Sequence, residues 1–483
     1  MALTAASNRP LPWLVAIAFL MQSLDTTVLN TAVPSIAHDL GVSQLQLKSV
    51  LASYALSLAV FVPASGWVAD RFGTRRVFAA AIVLFTIGSV LCGFSRTIPE
   101  LVAYRLLQGV GGAMMVPVGR LTMVRSFPKT ELVRAMSFLA IPSMIGPLIG
   151  PTLGGFIVSV TSWDYIFFIN VPVGLIGLVM VYFWMPDYRN ASVPRFDLLG
   201  LVYFGGGISL LSWVLEIFGD HSAGTTVLAV ATTLSLGLLA VYALHSRKSA
   251  NPLLDVTLLR IRTFATSVLG GFVTRLGVGG APFLLPLLYQ TGLGFSPVQS
   301  GMLIMPQAIG TLGSNIFVRY GLAAFGYRTL LLGNTVLLGV MLILFGSIGP
   351  TTPVWQICVQ GAIYGVLMST QFTAMNTLTF ADIPDAKSSN ASSLSGMFQQ
   401  LSMSFGIAAA GLVTASIGVT AADEQADMVA RVHHGFWFLG AVTIISASIF
   451  ALLRRSDGES VSGHKEALAI AQPPATTHAG TAS

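Results

Sequence analysis

The chain has 483 residues, of which 54% are hydrophobic and only 9% are Asp, Glu, Lys or Arg. A soluble domain has about 25% charged residues, so this chain cannot cover a globular surface with charge. Intrinsic disorder is excluded because disordered chains are poor in apolar residues. The formal charge of +6 is spread over short loops, which excludes a nucleic-acid-binding face. The composition therefore predicts a polytopic membrane protein, and its apolar runs, which are longer than the roughly 10-residue alternating strands of a β-barrel, predict an all-α fold.

Fourteen apolar runs have about the 20 residues that a helix needs to cross the hydrocarbon of a bilayer. The predicted spans are, in chain order, 11–33, 49–69, 77–95, 99–120, 134–158, 166–185, 198–217, 225–245, 264–289, 298–318, 329–348, 354–378, 390–418 and 434–453. The first run continues through Asp25 to Pro34, so it is predicted to be a retained span rather than a cleaved signal peptide.

The basic residues predict the orientation of these spans. With the N-terminus in the cytoplasm, twenty Lys and Arg residues fall in cytoplasmic segments, whereas Lys48, Arg96 and Arg431 fall on the opposite side. Cytoplasmic loops of membrane proteins carry an excess of basic residues. Both termini are therefore predicted to be cytoplasmic.

Two short repeats indicate an internal duplication. Phe72–Arg75 resembles Phe325–Arg328 at an offset of 253, and Gln108-Gly109 recurs as Gln360-Gly361 at an offset of 252. Six spans would give an offset near 190 in this chain, and the excess of about 60 residues is the size of a two-helix hairpin. The architecture is therefore predicted to be six plus two plus six helices, and repeated halves are typical of secondary transporters. The predicted units are an N-terminal bundle (1–190), a two-helix insert with its linkers (191–262), a C-terminal bundle (263–455) and a disordered tail (456–483).

Ionisable residues within the predicted spans are rare, and such residues are usually functional. Asp25 is the only carboxylate deep within a bundle span, roughly 12 Å below the outer end of span 1. Arg105 lies at a similar depth in span 4, roughly 9 Å below its outer end. Arg275 lies mid-span in the C-terminal half. A permanent structural ion pair is the alternative to a functional role for Asp25 and Arg105.

Four segments resemble motifs of the major facilitator superfamily, and specifically of its fourteen-span drug:proton antiporters. Residues 24–34 are similar to L-D-x-T-x-x-N-x-A-L-P, and residues 66–76 resemble the G-x-L-A-D-R-x-G-R-[KR] loop. Arg105 begins a segment similar to R-x-x-Q-G-x-G-[AG], and residues 146–155 match G-x-x-x-G-P-x-x-G-G. The resemblance implies the major facilitator fold and a place in the bacterial inner membrane. It also implies proton-coupled efflux of lipophilic drugs or other small molecules by alternating access.

The resemblance also implies roles for individual residues. We expect Asp25 to take up a proton outside and release it inside, with Arg105 tuning or competing for the carboxylate. The loop after span 2 is expected to latch the two halves, because the carboxylate of Asp70 would face the start of span 13 near Ser389. The residues of this latch are Gly66, Asp70, Arg71, Gly73, Arg75 and Arg76.

The motif in span 5 has glycines at every fourth position, which permits close helix packing in lipid. Its residues are Gly146, Gly150, Pro151, Gly154 and Gly155. The resemblance implies that the face formed by Gly146, Gly150 and Gly154 packs on span 10 and seals the central cavity. Ordinary helix packing in the membrane is the alternative.

The cargo is less well determined by the sequence. The side chains expected to face the substrate cavity are Asn30, Gln108, Arg275, Gln371, Asn376, Gln399 and Gln400. Two intramembrane arginines against one aspartate disfavour divalent cations and leave neutral or monovalent lipophilic compounds as cargo. Export of an anionic metabolite or metal chelate attracted to Arg275 is the alternative. Arg275 could instead hydrogen-bond to backbone carbonyls at a helix break near Gly277.

Other functional classes find little support. The chain has no nucleotide-binding P-loop, no G-x-S-x-G motif and no Cys/His spacing typical of a metal site. We therefore expect a transporter rather than an enzyme, with no cofactor and no bound metal. Its expected partners are a small-molecule substrate, protons and the lipid bilayer, and not nucleic acid. A monomer is expected.

Overall fold

The computed structural model describes residues 10–458, apart from residues 128, 191–192, 194, 221–223, 250, 385–386, 417–423 and 455–456. Within these residues all regular secondary structure is helical, and sixteen α-helices follow one another. Apart from Asp457 and Gly458, the predicted disordered tail lies outside the described residues.

The helices in chain order are α1 (Leu11–Leu40), α2 (Lys48–Phe61), α3 (Ser65–Phe72), α4 (Thr74–Gly93), α5 (Ile98–Ser126), α6 (Lys129–Val160), α7 (Tyr165–Phe168), α8 (Asn170–Trp184), α9 (Leu198–Asp220), α10 (Thr225–Lys248), α11 (Arg262–Gly279), α12 (Ala281–Leu287), α13 (Pro297–Phe345), α14 (Val354–Phe380), α15 (Ser388–Ser416) and α16 (Glu424–Phe450).

Local sequence signals explain where several helices begin and end. α5 begins after Thr97, whose hydroxyl oxygen accepts a hydrogen bond from the backbone N–H of Glu100. α13 begins with a capping box, in which Ser296 and Gln299 each accept a bond from the other's backbone N–H. The 49-residue α13 is too long for one membrane span. It bends at Gly326, where φ is 67°, a value that glycine adopts without steric cost.

Ten helices of the described chain are long and apolar enough to cross a membrane. The four other predicted spans coincide with α6, the first part of α13, α14 and α15. These segments are helical but are not among the ten. α15 contains many Ser and Gln residues, which lower its hydropathy. The count of fourteen spans and the cytoplasmic position of both termini therefore stay predictions.

The helices form two groups that pack mainly within themselves. α1 contacts α5, α6 and α8, and α4 packs on α5. α11 contacts α14, α15 and α16, and α13 packs on α14 and α16. The two groups meet where α2 packs on α15 and α6 packs on α13. The hairpin of α9 and α10 contacts this junction through α9, which lies against both α2 and α15.

The two ends of this junction differ in packing. At the end that contains Leu47, a buried apolar cluster joins both groups and includes Val33 and Ile36 of α1 together with Leu284 of α12. We call this the Leu47 end, and the opposite end, which carries the loop 70–76, the Asp70 end. The apolar cluster closes the junction at the Leu47 end.

The glycine-rich helix α6 is wedged between α1 and α13. A Cβ at Gly146, Gly150 or Gly154 would collide with Ser23, Thr27 or Val28 of α1, so this face packs on α1. The prediction that it packs on span 10 is therefore wrong. The contact with α13 comes from the neighbouring face. A Cβ at Gly155 would collide with the backbone of Pro297, and a Cβ at Gly301 with that of Pro151. A turn of about 100° per residue separates the two faces, and the four-residue spacing alone did not show which one faces α13.

The carboxylate of Asp197 links the start of the inserted hairpin to its end and to the segment that follows it. Asp197, just before α9, accepts hydrogen bonds from the backbone N–H groups of Gly200 (2.9 Å) and Leu253 (3.0 Å). Its Oδ1 also lies 2.7 Å from Nε2 of His245 in the last turn of α10. Burial acts to raise the pKa of Asp197, but the bonds from His245, Leu253 and Gly200 outweigh it and hold the pKa below its usual value.

We predict that Gly150→Val lowers the thermal stability of the purified protein, because the new side chain must displace Thr27 in a packed interface. Overpacking of this kind costs about 1–3 kcal/mol. Gly333→Val is the matched control, since beyond its own helix backbone and chain neighbours nothing lies within 4 Å of a Cβ built at Gly333. Thermal unfolding in detergent measures both, and equal melting temperatures for the two variants would contradict the packing described here.

We predict that Asp197→Ala destabilises the protein by about 1–3 kcal/mol at neutral pH, because two backbone donors lose their acceptor. A carboxylate whose pKa is lowered by folding contributes stability above its unfolded pKa of about 4, and the contribution is lost as the pH falls through the folded value. The difference in melting temperature from the wild type should therefore narrow below about pH 4. Asp164→Ala, which removes only the acceptor of a hydrogen bond from the exposed Ser162, is the control. If the difference in melting temperature between Asp197→Ala and the wild type widens in acid, this assignment is contradicted.

Candidate functional site

Asp25 lies halfway along α1, and its side chain is buried, with 3% of the residue exposed. Its Oδ2 accepts a hydrogen bond from Nη1 of Arg105 at 2.6 Å. Its Oδ1 accepts bonds from Nε2 of Gln108 at 2.8 Å and from Nδ2 of Asn170 at 3.1 Å. The carboxylate is therefore fully paired, as a charge in a low-dielectric interior must be.

Arg105 of α5 is 1% exposed and is enclosed by aromatic rings. Its guanidinium carbon lies 4.4 Å from the centre of the Tyr54 ring and 5.9 Å from that of Phe167. Nη1 also donates to Oε1 of Gln108 at 2.7 Å. The depths estimated from the sequence brought Asp25 and Arg105 to the same level, and the structure joins them directly.

Asn170 and Ser89 form a second layer of hydrogen bonds around this pair, and the sequence predictions did not include these two residues. The amide nitrogen of Asn170, the first residue of α8, also donates to Oγ of Ser89 in α4 at 2.9 Å. The Ser89 hydroxyl donates in turn to the backbone carbonyl of Phe167 at 2.8 Å. Asn170 is a polar residue near the start of an otherwise apolar span, which is the only signal that the sequence offered.

A central cavity of about 380 Å³ adjoins the pair between the two helix groups. Its polar lining includes Gln22, Asn30, Tyr54, Arg105, Arg120 and Gln400, and its apolar lining includes Phe19, Leu58, Met403 and Ile407. A second space of about 340 Å³ shares Gln22, Arg120 and Gln400 with it and reaches Gly66 and Ser393 at the Asp70 end. The cavity therefore extends toward the Asp70 end, while the apolar cluster closes the Leu47 end.

Arg120 lines the cavity, although it is one of the twenty basic residues that the predicted spans place in cytoplasmic segments. The predicted span 4 ended at residue 120, whereas α5 continues to Ser126. The guanidinium of Arg120 lies 5.6 Å from the centre of the Phe19 ring. No carboxylate of the described residues forms an ion pair with it. An exposed guanidinium thus faces the cavity.

Arg275 lies behind the cavity wall. Its guanidinium stacks 4.7 Å from the centre of the Phe372 ring, and Phe372 lines the adjoining part of the cavity. Nη2 of Arg275 donates to Oδ1 of Asn376 at 3.2 Å, and the same oxygen accepts a bond from Gln399 at 3.0 Å. Arg275 is therefore bound to an amide and a ring, and within the described part of the chain no bond joins it to backbone carbonyls near Gly277.

The amides predicted to face the substrate separate into two groups. Asn30, Gln399 and Gln400 line the cavity. Gln108 is buried in the Asp25 network. Gln371 is fully buried in the C-terminal half, where it bonds to Asn334 at 2.8 Å and to Thr335 at 2.7 Å. Gln108 and Gln371 therefore do not line the cavity in this conformation, because each is held by partners within its own half.

Among the described side chains, the predicted latch residue Asp70 bonds within its own half and not to α15. Asp70 pairs with Arg125 of its own half, at 2.7 Å. Asn390 and Ser393 of α15 lie with Asp70 around a space of about 500 Å³, and the side chain of Ser389 is outside the described set. Beyond its own helix backbone and chain neighbours, nothing lies within 4 Å of a Cβ built at Gly66, so no other described segment packs closely on this latch glycine.

The rest of the latch loop is anchored to the last turn of α8 and to the segment that follows it. Gly73 has φ of 97°, and its N–H caps the end of α3. The backbone N–H of Arg75 donates to Oδ1 of Asp187 at 3.2 Å, and its guanidinium bonds to the carbonyl of Tyr182. Arg71 and Arg76 lie on the exposed side of the same turn.

Comparison with known proteins finds relatives with similar sequences and solved structures with a similar fold. The profile of the Major Facilitator Superfamily matches residues 15–407 and 267–479. MdtD of Pectobacterium atrosepticum, which is named as a multidrug resistance protein, is 43% identical over 84% of this chain and 87% of its own length. MdtD of Pectobacterium carotovorum is 40% identical over 93% and 96% of the two chains. The crystal structure of a D-xylose–proton symporter superposes with a TM-score of 0.67 at 16% identity, over 94% of this chain and 99% of the symporter.

The profile match covers most of the chain, the relatives align over most of their length, and the solved structure has a similar fold. The chain therefore belongs to the major facilitator superfamily of membrane transporters.

Proposed function

We propose that the protein exports small molecules across the bacterial inner membrane in exchange for protons, with both termini in the cytoplasm. The observation that carries this proposal is the buried ion pair of Asp25 and Arg105 beside the central cavity. An ionisable pair at this depth is costly, and such pairs usually mark ion pathways in transporters. The mainly apolar lining and the name of the relatives support lipophilic drugs as cargo.

The direction of the cavity supports alternating access. The excess of basic residues in the predicted cytoplasmic segments assigns the Asp70 end to the cytoplasm. On that assignment the structure is the inward-facing state, in which cargo enters from the cytoplasm. In the outward-facing state the apolar cluster at the Leu47 end would separate, and the latch at Asp70 would close onto α15.

The ion pair supplies a link between the proton and the cargo. In this conformation the carboxylate of Asp25 accepts three hydrogen bonds, one of them from the guanidinium of Arg105. A proton taken up from outside would neutralise Asp25 and loosen its bond to Arg105. Because Arg105 also lines the cavity, this change would alter the charge that cargo meets there.

We predict that Asp25→Asn reduces transport driven by a pH gradient to the level of protein-free vesicles, because an amide cannot carry the proton. Exchange of labelled for unlabelled cargo at equal pH on both sides should persist, since it needs no net proton transfer. The measurement is uptake into proteoliposomes containing a quantified amount of protein. Asp39→Asn, at the end of α1 where the carboxylate binds Trp163, is the control; gradient-driven transport that survives in Asp25→Asn would remove the coupling role.

A second candidate function is export of an anionic metabolite or metal chelate by the same machinery. Arg120 favours it, because this guanidinium faces the cavity without a carboxylate partner among the described residues. Asp25 is neutralised by Arg105, so the charge that remains in the cavity wall is positive. A carboxylate on the cargo would form an ion pair with the guanidinium of Arg120.

We predict for the anionic candidate that Arg120→Gln raises the KM for an organic acid about tenfold or more, since a charge-assisted hydrogen bond contributes about 1.5–3 kcal/mol. Uptake of carboxyfluorescein and of the cationic dye ethidium into proteoliposomes should be compared, with the exposed Arg247→Gln as control. If only ethidium is transported, and Arg120→Gln does not impair it, the drug-export function stands and the anionic one is excluded.

A further inference from the structure

We propose that Asn170, fixed by Ser89, is a positioning residue that makes a proton and Arg105 compete for one oxygen of Asp25. The inference rests on the proposed function, because it concerns how the coupling carboxylate works. Neither Asn170 nor Ser89 belongs to the motifs on which the family resemblance rests.

The orientation of the Asn170 amide is defined by its partners. Its Nδ2 lies 3.1 Å from Oδ1 of Asp25 and 2.9 Å from Oγ of Ser89. A carboxylate oxygen only accepts hydrogen bonds, so the atom facing Asp25 must be the NH₂ group and not the amide oxygen. The Ser89 hydroxyl uses its proton on the carbonyl of Phe167 at 2.8 Å, so it accepts from Asn170. Both amide protons are thereby assigned.

This arrangement makes the two oxygens of Asp25 unequal. Oδ1 accepts from the amides of Gln108 and Asn170, at 2.8 and 3.1 Å. Oδ2 accepts from Arg105 at 2.6 Å. A proton added to Oδ1 would face two N–H donors that cannot accept it, so protonation on Oδ2 is favoured. A proton on Oδ2 takes the acceptor site that no hydrogen bond uses, neutralises the oxygen that Arg105 binds and so weakens the bond from Nη1.

The other described groups around the carboxylate of Asp25 do not compete with Arg105 as charged partners of this carboxylate. Tyr54 of α2 packs its ring on Arg105, and the Cys92 thiol of α4 lies 4.0 Å from Oε1 of Gln108. α6 presents Gly146 and Gly150 to this part of α1, and α8 presents Asn170. Among the described residues that contact Asp25, Arg105 is thus the one charged group, and Asn170 decides which oxygen it shares with the proton.

Loss of the Asn170 amide would have two consequences. Oδ1 would keep a single donor, so the charged form of Asp25 would be less stabilised and its protonation would shift to higher pH. Oδ1 could then also take up the proton while Arg105 stayed bound to Oδ2. Protonation would no longer release Arg105, and coupling between proton and cargo would loosen.

The test is an infrared titration of the Asp25 carboxyl group in the purified full-length protein. The protonated carboxyl band is followed against pH, and the spectrum of Asp25→Asn is subtracted to isolate the band of Asp25. We expect Asn170→Leu to raise the midpoint by about 1 pH unit, the size expected for one lost bond to a carboxylate. Ser89→Ala, which leaves the amide in place but frees it to rotate, should give a smaller upward shift.

Asn334→Leu is the matched control for the loss of a buried amide. Asn334 bonds to Gln371 and to the carbonyl of Leu367 in the C-terminal half, so its loss should lower the melting temperature without moving the midpoint of Asp25. If Asn170→Leu does not fold, the Ser89→Ala titration decides. Midpoints of Asn170→Leu and Ser89→Ala that equal the wild-type value, or fall below it, would overturn the inference.

A transport measurement separates this inference from the proposed function. In proteoliposomes with a fixed pH gradient, Asn170→Leu should accumulate ethidium or carboxyfluorescein, whichever the wild type transports, to a lower plateau than the wild type. Equal plateaus would overturn the positioning role while the effect of Asp25→Asn still upheld coupling. If Asp25→Asn itself accumulates cargo like the wild type, the proposed function fails, whatever the titration of Asn170→Leu shows.

Discussion

A carboxylate enclosed in the membrane interior must be paired, and the pairing of Asp25 is the constraint on which the N-terminal half is built. The partner Arg105 comes from α5, Gln108 stands one turn further along the same helix, and Asn170 comes from α8 with support from Ser89 of α4. Four helices therefore converge on one carboxyl group. Breaking a buried pair of this kind by removing one partner costs about 3–5 kcal/mol, so any conformational change must keep the charge paired or neutralise it with a proton.

The position of α6 connects this network to the junction between the halves. Its glycines at 146, 150 and 154 let it lie directly on α1, next to the segment that carries Asp25, while Gly155 and Pro151 meet Pro297 and Gly301 of α13. α6 therefore lies directly against both α1 and α13, with a glycine on one side of each of these close contacts. This close packing gives a physical reason why a proton at Asp25 would affect how the halves meet.

Depth and chemistry could be predicted from the sequence, but rotation about the helix axes could not. The rise per residue brought Asp25 and Arg105 to one level, and the structure pairs them. The spacing of Gly146, Gly150 and Gly154 showed a small-residue face, yet it packs on α1, because spacing alone does not tell which neighbour a face meets. Hydropathy ends the predicted span 4 at residue 120, so the sequence places Arg120 at a cytoplasmic end, whereas α5 continues to Ser126. Asn170 stayed unnoticed because one amide in an apolar helix does not reveal what it faces.

The exchange of protons for cargo is tested most directly by the direction of accumulation in proteoliposomes. A panel of cationic dyes, neutral antibiotics and organic acids should be supplied to vesicles that are acidic inside and to vesicles that are alkaline inside. The account predicts that cargo accumulates on the acidic side in both cases and that a protonophore abolishes the accumulation. Accumulation on the alkaline side, or accumulation that ignores the gradient, would contradict it.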